Sequence, residues 1–444
     1  MDLTERLRAI VRPAGASPSG ADGSSRRELT YEPDDGRRYE AALDLERAAG
    51  ALGGCVLNTP FGACLVIDRR YESDRRYGSV QIGDCEPGDL ATLRLLDPGL
   101  EALDASSRSR VVFVDLETTG LSGGAGTVAF LVGCGYFDLG AFQVRQFLLT
   151  SHSAERALLA AAADLFDAAA LIVTYNGKTF DIPVMEMRWA FHRLAAPLDA
   201  VPHFDMLHPA RRLWKVRADQ PHDGGCRLTT LERVLFNVRR VGDVGGFEIP
   251  GRFFQFLRTA DASPLEPVLE HNRLDLVSLA ALTARAMRLA EQGDAACGDE
   301  REALALGRVL ERAGALGRAD ACYRRAAGSA CVETRSQALY HLGLRYRRER
   351  RFGEAAGCWR DLIALGERRR GGVPPGLRQF AIEALAIHHE HRDRDLPAAR
   401  ELARFALDED DDAGRAAGMR HRLARLDRKL ARRLRPLFTS SAEV

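Results

Sequence analysis

From residue 106 to residue 292 the chain alternates short apolar runs with longer amphipathic ones. Residues 111–114 are β-branched and aromatic, the pattern of a buried strand. Two more strands are predicted over 128–137 and 141–149, and the Asp138-Leu139-Gly140 turn between them fits an antiparallel hairpin. The Ala- and Leu-rich stretch 154–170 reads as a helix, and 171–175 as another buried strand. Asn176-Gly177-Lys178 is a turn, and Pro183 sits early in the next helix, where proline is tolerated. Two early prolines and then Val268, Leu269, Leu274, Leu276, Val277, Leu279 and Leu282 predict one long helix over 264–292. Three strands followed by helix–strand–helix alternation predict an α/β domain.

The flanks follow other patterns. Residues 1–50 are rich in Gly, Ser, Arg and Asp and are expected to be mostly mobile, with a helix over 39–49. Over 51–105 short apolar runs, Cys64-Leu65-Val66-Ile67 and Gly78-Ser79-Val80-Gln81-Ile82, are broken by turn residues and predict a small β-rich subdomain. Arg69, Arg70, Arg75 and Arg76 flank Tyr71 and Tyr77 there, as a polar hairpin or a nucleic-acid contact. A linker is expected over 291–299. Beyond it Leu306-Gly307, Ala319, Tyr323 and Ala326 recur 36 residues later as Leu342-Gly343, Ala355, Trp359 and Leu362. A looser third copy runs through Ala386, Ala399, Ala403 and Ala406. The spacing resembles tetratricopeptide helix pairs and predicts an all-α repeat domain over 300–437.

Composition narrows the class. At 444 residues the chain exceeds one ordinary core, and 46% hydrophobic with 28% charged residues fits a globular protein of two or three domains. It has no apolar run of about 18 residues, so no membrane span is expected. Met1-Asp2-Leu3-Thr4-Glu5 lacks the features of a signal peptide. Nine cysteines without a CxxC pair suggest reduced thiols in a cytoplasm and no structural zinc. Charge is uneven: residues 301–444 hold 30 Lys+Arg against 20 Asp+Glu, net +10, which leaves −9 for 1–300 in a total of +1. The basic half is either a set of solvated helix faces or a surface for a partner.

The strand that begins at Val111 ends in chemistry. Asp115 and Glu117 are two apart, so both project from one strand face. Two like charges so placed repel and lose hydration unless neutralised. A divalent cation with oxygen ligands does this directly. Three later segments bear on the same site: Asn176-Gly177-Lys178-Thr179-Phe180-Asp181, then His203-Phe204-Asp205 with Arg211 beyond it, then His271-Asn272-Arg273-Leu274-Asp275. Residues four apart share a helix face, so His271 and Asp275 can aim at one point.

Asp115-Leu116-Glu117-Thr118-Thr119-Gly120-Leu121, the N-x-x-x-F-D run ending at Asp181 and the H-x-x-x-D pair ending at Asp275 resemble the DnaQ-like or DEDD exonucleases. The resemblance spans about residues 106–292 and implies a ribonuclease H-like mixed five-stranded sheet flanked by helices. The whole chain looks more closely like the YprB-type bacterial ribonuclease H-like proteins. Gly120-Leu121-Ser122-Gly123-Gly124 and Val268-Leu269-Glu270-His271-Asn272 are similar to that group. Carried over residue by residue, the resemblance makes Asp115, Glu117, Asp181 and Asp275 ligands of two divalent metal ions, Mg²⁺ or Mn²⁺. It implies 3′→5′ exonuclease activity on single-stranded DNA or RNA. Hard oxygen ligands suit those ions better than zinc, and two ions about 3.5–4 Å apart can activate water and stabilise the leaving oxygen.

His271 is then the general base, since an imidazole accepts a proton near pH 7. The spacing departs from the family here. Its His-type members carry histidine five residues before the last Asp and its Tyr-type members tyrosine four before, whereas this histidine stands four before. Candidate substrate contacts are Thr118, Asn176, Lys178, Asp205 and Arg211. Asp205 either orients a ligand or caps the helix after it. Asn176 shapes its turn or reaches the substrate strand. Lys178 and Arg211 contact phosphate or are ordinary surface residues. The other reading is a nucleic-acid-binding or scaffold protein with little or no turnover, and the repeats could hold a protein partner.

Overall fold

The computed structural model describes residues 44–100, 110–120, 126–215, 225–368, 373–409 and 413–434. The expected mobile segment up to residue 43 lies outside them, as do Leu121 to Gly124. Residues 45–50 belong to the fold: helix α1 (Leu45–Leu52) is capped by the Asp44 carboxylate, which accepts from Arg47 N at 3.1 Å, and it buries Ala48, Ala49 and Leu52.

The strands are β1 (Cys55–Thr59), β2 (Gly62–Tyr71), β3 (Arg76–Tyr77), β4 (Val80–Gln81), β5 (Arg110–Thr118), β6 (Ala129–Asp138), β7 (Ala141–Leu148), β8 (Ala169–Thr174) and β9 (His203–Asp205). Seven of them form one sheet in the order β1-β2-β7-β6-β5-β8-β9, and β3 and β4 pair separately. Only β5–β8 and β8–β9 are parallel. The ribonuclease H-like mixed sheet is therefore present, with seven strands where five were expected. The two extra strands come from the stretch read as a separate β-rich subdomain. Cys64, Leu65, Val66 and Ile67 are buried, and an isolated hairpin cannot cover such a run. β2 instead pairs antiparallel with the outer edge of β7, from Leu65↔Leu148 to Tyr71↔Phe142. Opposite one another in that ladder, Asp68 takes Arg145 Nε at 2.7 Å. Tyr71 and Tyr77 are buried, which removes both as stacking platforms for bases.

Successive residues of β5 alternate between two cores. Val112 and Val114 face one shared with α1, α3 (Glu155–Asp167), α4 (Asp181–Phe191) and α7 (Ile249–Thr259); α2 (Leu93–Leu96) lies with the other. Phe113 faces that second core, with α5 (Leu207–Trp214), α6 (Leu228–Phe236) and α8 (Glu266–Gln292). Asp115 and Glu117 continue the Phe113 face, beneath the N-terminal turns of α8.

The second core passes without a break into the repeats: α9 (Glu300–Arg312), α10 (Leu316–Ala327), α11 (Val332–Arg348), α12 (Phe352–Arg368), α13 (Pro375–His388), α14 (Leu396–Glu409) and α15 (Ala413–Leu434). The described residues accordingly fall in one compact unit. The 36-residue repeat has a packing cause. Gly307 lies against the Tyr323 ring and Gly343 against the Trp359 ring, so close that a Cβ on either glycine would collide. The expected linker is a packed 3₁₀ turn, Gly293–Ala296, followed by the buried Cys297.

Candidate active site

β8 accompanies β5 only as far as Phe113↔Val173, while β6 continues to Thr118 across an irregularity between Glu117 and Thr118. Asp115 and Glu117 therefore project past the parallel neighbour, at the open end of the sheet. Asp181 is the first residue of α4, brought there by the turn after β8. The backbone amides of Leu116 and of Asp181 itself lie near enough to its carboxylate to pull its pKa down. His271, Asn272 and Asp275 lie on α8.

The row beneath α8 is tightly built. Asp115 pairs across the ladder with Gly133, and Gly133 with Gln146. Asn272 Nδ2 donates to Asp115 Oδ2 at 2.7 Å and to its carbonyl at 3.1 Å. Gln146 Nε2 donates to Asn272 Oδ1 at 2.8 Å and to Leu269 O at 2.9 Å. Both amides are fully buried, so each bond fixes the next. Sequence reasoning missed Asn272, Gly133 and Gln146; the glycine in an otherwise bulky strand was the available signal.

Burial raises the pKa of all four acids. For Asp115 the charges of Asp275, Glu117 and Asp181 add to it, and the Asn272 hydrogen bond opposes. For Glu117 the added charges are Asp275, Asp181 and Asp243. Asp181 is pushed up to about 7 by burial, against the pull of the two amides. Asp275 is raised by burial although Arg240 and His271 pull it down. The four expected acids thus share one electrostatic neighbourhood. Asp181 is buried, but Asp115 and Glu117 keep an edge open to solvent.

A segment beyond α6 completes the site, and sequence reasoning missed it too. Arg240 Nη2 lies 2.5 Å from Asp275 Oδ1, while its Nε and Nη2 hold the buried Glu232 at 2.8 and 3.0 Å. Tyr77 Oη and Ser278 Oγ also donate to Glu232, at 2.9 and 2.5 Å. Asp243 Oδ1 meets His271 Nδ1 at 2.7 Å. An ionised carboxylate can only accept, so Nδ1 is the donor, and in the neutral imidazole the lone pair then falls on Nε2. Nε2 stands 3.6 Å from Asp275 Oδ2, outside hydrogen-bond range.

The candidate substrate contacts divide. Asp205 is buried and used internally: its carboxylate accepts from the amides of Asn176, Lys178 and Leu207 at 2.8, 3.1 and 3.0 Å. It holds the first amide of α5, whose N-cap position is Met206, and shapes the turn before Asp181. Asn176 adopts φ 72°, the left-handed conformation asparagine tolerates, and its Oδ1 accepts from Thr179 Oγ1 at 3.0 Å. Lys178 Nζ pairs with Asp97 at 3.1 Å. Thr118 is buried and donates to Gly120 O at 2.8 Å. Arg211 is exposed on α5.

Among the described residues, no three His, Cys, Asp or Glu side chains converge into a preformed cage for an ion. The donor set nonetheless fits Mg²⁺ or Mn²⁺. All four side chains are hard oxygen donors, of which Asp275 alone has a cation beside it, Arg240, and Mg²⁺ takes only one or two carboxylates plus water and substrate phosphates. No helix among the described residues is long and apolar enough to cross a membrane.

Residues 112–287 match the family model described as the RNase_H superfamily. Over 347 residues the chain is 29% identical to the uncharacterized protein YprB of Bacillus subtilis (strain 168), covering 78% of this chain and 80% of that one. It is also similar, at 14% identity and a TM-score of 0.33, to the family B DNA polymerase of the hyperthermophilic archaeon Pyrobaculum calidifontis. That match covers 71% of this chain and 45% of the polymerase, so the chain spans less than half its length.

Proposed function

This chain is a ribonuclease H-like protein of the YprB type, and from that premise we propose that it is a metal-dependent 3′→5′ exonuclease acting on single-stranded DNA or RNA. One observation carries the reading: Asp115 and Glu117, at the open end of the sheet, feel the charges of Asp181 and Asp275, and burial raises the pKa of all four. Structural carboxylates are paired or solvated; groups held against their own repulsion are functional candidates.

Two divalent ions held by these acids would polarise the scissile phosphate and stabilise the leaving oxygen. The protein's own residues do the rest. Asn272 and Gln146 fix the rotamer of Asp115. Asp243 fixes the His271 tautomer, so that Nε2 takes the proton from the attacking water. Arg240, anchored on Glu232, orients Asp275 and supplies part of the positive charge that the acids lack. Asp205 sets the turn that delivers Asp181.

The Arg240–Asp275 ion pair favours a second reading, a nucleic-acid-binding protein of little turnover, because it occupies one acid of the set. One experiment separates the two. Purified protein is incubated with end-labelled single- and double-stranded DNA and RNA plus Mn²⁺ or Mg²⁺. A ladder shortening from the 3′ end, abolished by excess EDTA, is expected. Binding without any ladder would establish the second reading.

A further inference from the structure

α5 of the sheet half meets α9 and α11 of the repeats around a cavity of about 180 Å³. None of these helices carries an acid of the candidate active site. Three arginines line the cavity: Arg212, Arg301 and Arg308. Arg308 is half-buried there, while Arg212 and Arg301 reach the cavity from its exposed rim; guanidinium groups drawn out of water are normally held by carboxylates. Here the partners of two of them are neutral. Arg308 Nε donates to His341 Nε2 at 3.2 Å and its Nη2 to Gln337 Oε1. Arg212 Nη1 donates to Leu96 O at 3.0 Å. Burial lowers the pKa of both, and nearby Arg312 adds to the effect on Arg212, while Asp97 opposes it there and Tyr323 and Glu333 oppose it at Arg308.

Two carboxylates also line the wall. Glu302 is already taken: it accepts from Trp214 Nε1 at 2.8 Å, Arg285 Nη2 at 2.6 Å and Gly298 N at 2.6 Å. Glu333 is exposed and accepts from Gln337 Nε2 at 3.3 Å. Positive charge is left over in a concave, partly desolvated site. Planar forks suit the tetrahedral oxygens of a phosphoryl group, to which arginine binds through paired N–H donors. The volume lies below the ~300–1,000 Å³ of sites for drug-sized ligands, so it admits a phosphate and not a whole nucleotide.

We propose that this cavity is a phosphoryl-binding site in which Arg212 and Arg308 grip the oxygens of a phosphate, either free or at the end of a nucleic-acid strand. It rests on its own arginines, and the acids of the active site take no part in it.

The test uses the full chain in EDTA, which silences the acid site. Thermal unfolding is followed against increasing sodium phosphate, with sodium chloride at matched ionic strength as control. Parallel arms use a 5′-phosphorylated dinucleotide and the same dinucleotide with a 5′-hydroxyl. Wild type should show a saturable rise in Tm with phosphate or with the phosphorylated dinucleotide, and the arm of higher affinity names the source. Arg212→Gln and Arg308→Gln should each weaken the half-saturating concentration roughly tenfold or more, as loss of a charge-assisted bond predicts. If Arg308→Gln fails to fold, the exposed Arg212 decides alone. Equal Tm in phosphate and chloride, or an unchanged titration in Arg212→Gln, overturns the proposal. Loss of nuclease activity elsewhere would leave this titration intact, so the two failures are distinguishable.

Discussion

Gly133 stands directly across the β5–β6 ladder from Asp115, and the space that a Cβ would take there belongs to the carboxamide of Asn272. The glycine is what lets α8 come down on the sheet and donate to the Asp115 carboxylate. Neither residue of the pair has to move for the acid to be set.

Gly133→Ala is therefore expected to push α8 outward. Overpacking of this kind destabilises by about 1–3 kcal/mol, and a shift of about 1 Å at the acid can lower a rate by ~10²-fold. Urea unfolding and the rate of 3′-end shortening measure the two effects. Wild-type values for both would mean that Asn272 does not depend on the glycine.

Asp181→Asn should abolish cleavage while leaving the circular dichroism spectrum unchanged, since the amide still fits the Leu116 contact. Mn²⁺ binding by calorimetry should weaken with it. Full activity in this variant would rule out the four-acid site.

His271→Ala should lower kcat by ~10²–10⁴-fold with little change in metal affinity. Asp243→Asn should act in the same direction and more weakly, because it releases only the tautomer. A histidine of structural role would instead show as a fall in Tm at unchanged kcat.

Arg240→Gln leaves Glu232 buried with no cation, and breaking such a pair costs about 3–5 kcal/mol. The double change with Glu232→Gln should recover much of that stability but not the cleavage rate, because Asp275 remains without its arginine. Equilibrium unfolding of the three variants gives the coupling directly. Additive losses would show that the two side chains act independently.

Glu390 supplies a pH test far from the site. It is fully covered by Arg422, Arg425 and Lys429 of α15, at 2.8, 2.6 and 2.7 Å. Burial would push its carboxyl up, but the hydrogen bonds of Arg425 and Lys429 and their charges outweigh this and hold it at about 2. A depressed folded-state pKa stabilises above the unfolded value of ~4.3, and that share is lost as pH falls toward 2. Hydrogen exchange in α15 should accelerate between about pH 4 and pH 2, by an amount bounded at ~3 kcal/mol. Glu390→Gln should show the fast exchange already at pH 7. Exchange in α15 that is indifferent to both would show that the Glu390 ion pairs do not hold the helix.

The parts of the site that were legible in the sequence are those encoded locally. Asp115 and Glu117 announce themselves because the strand period places both on one face, and His271 and Asp275 because the helical period does. The Leu-Gly repeat was readable because each glycine is spaced to meet an aromatic ring. What escaped depends on contacts between distant segments. Asn272 reads as one polar residue in a helix until Gly133 is known to lie beneath it. Arg240 and Asp243 sit in a loop with no periodicity at all. The pairing of β2 with β7 was hidden for the same reason: an edge strand and a separate hairpin have the same alternation. Asp205 was readable as a residue that serves the following helix, and its three amide partners occupy most of the acceptor capacity of its carboxylate.

The 27 residues of α8 make a rod about 40 Å long at about 1.5 Å per residue. Its first turns carry His271, Asn272 and Asp275; its last turns are gripped by the repeats, through Arg285 to Glu302 and Ala290 O to Arg318. A tilt of about 3° at the far end moves a group roughly 20 Å away by about 1 Å, enough to unseat a reacting atom. The helix is a lever with its load arm in the acid site, so whatever leans on the repeats sets the alignment of the chemistry.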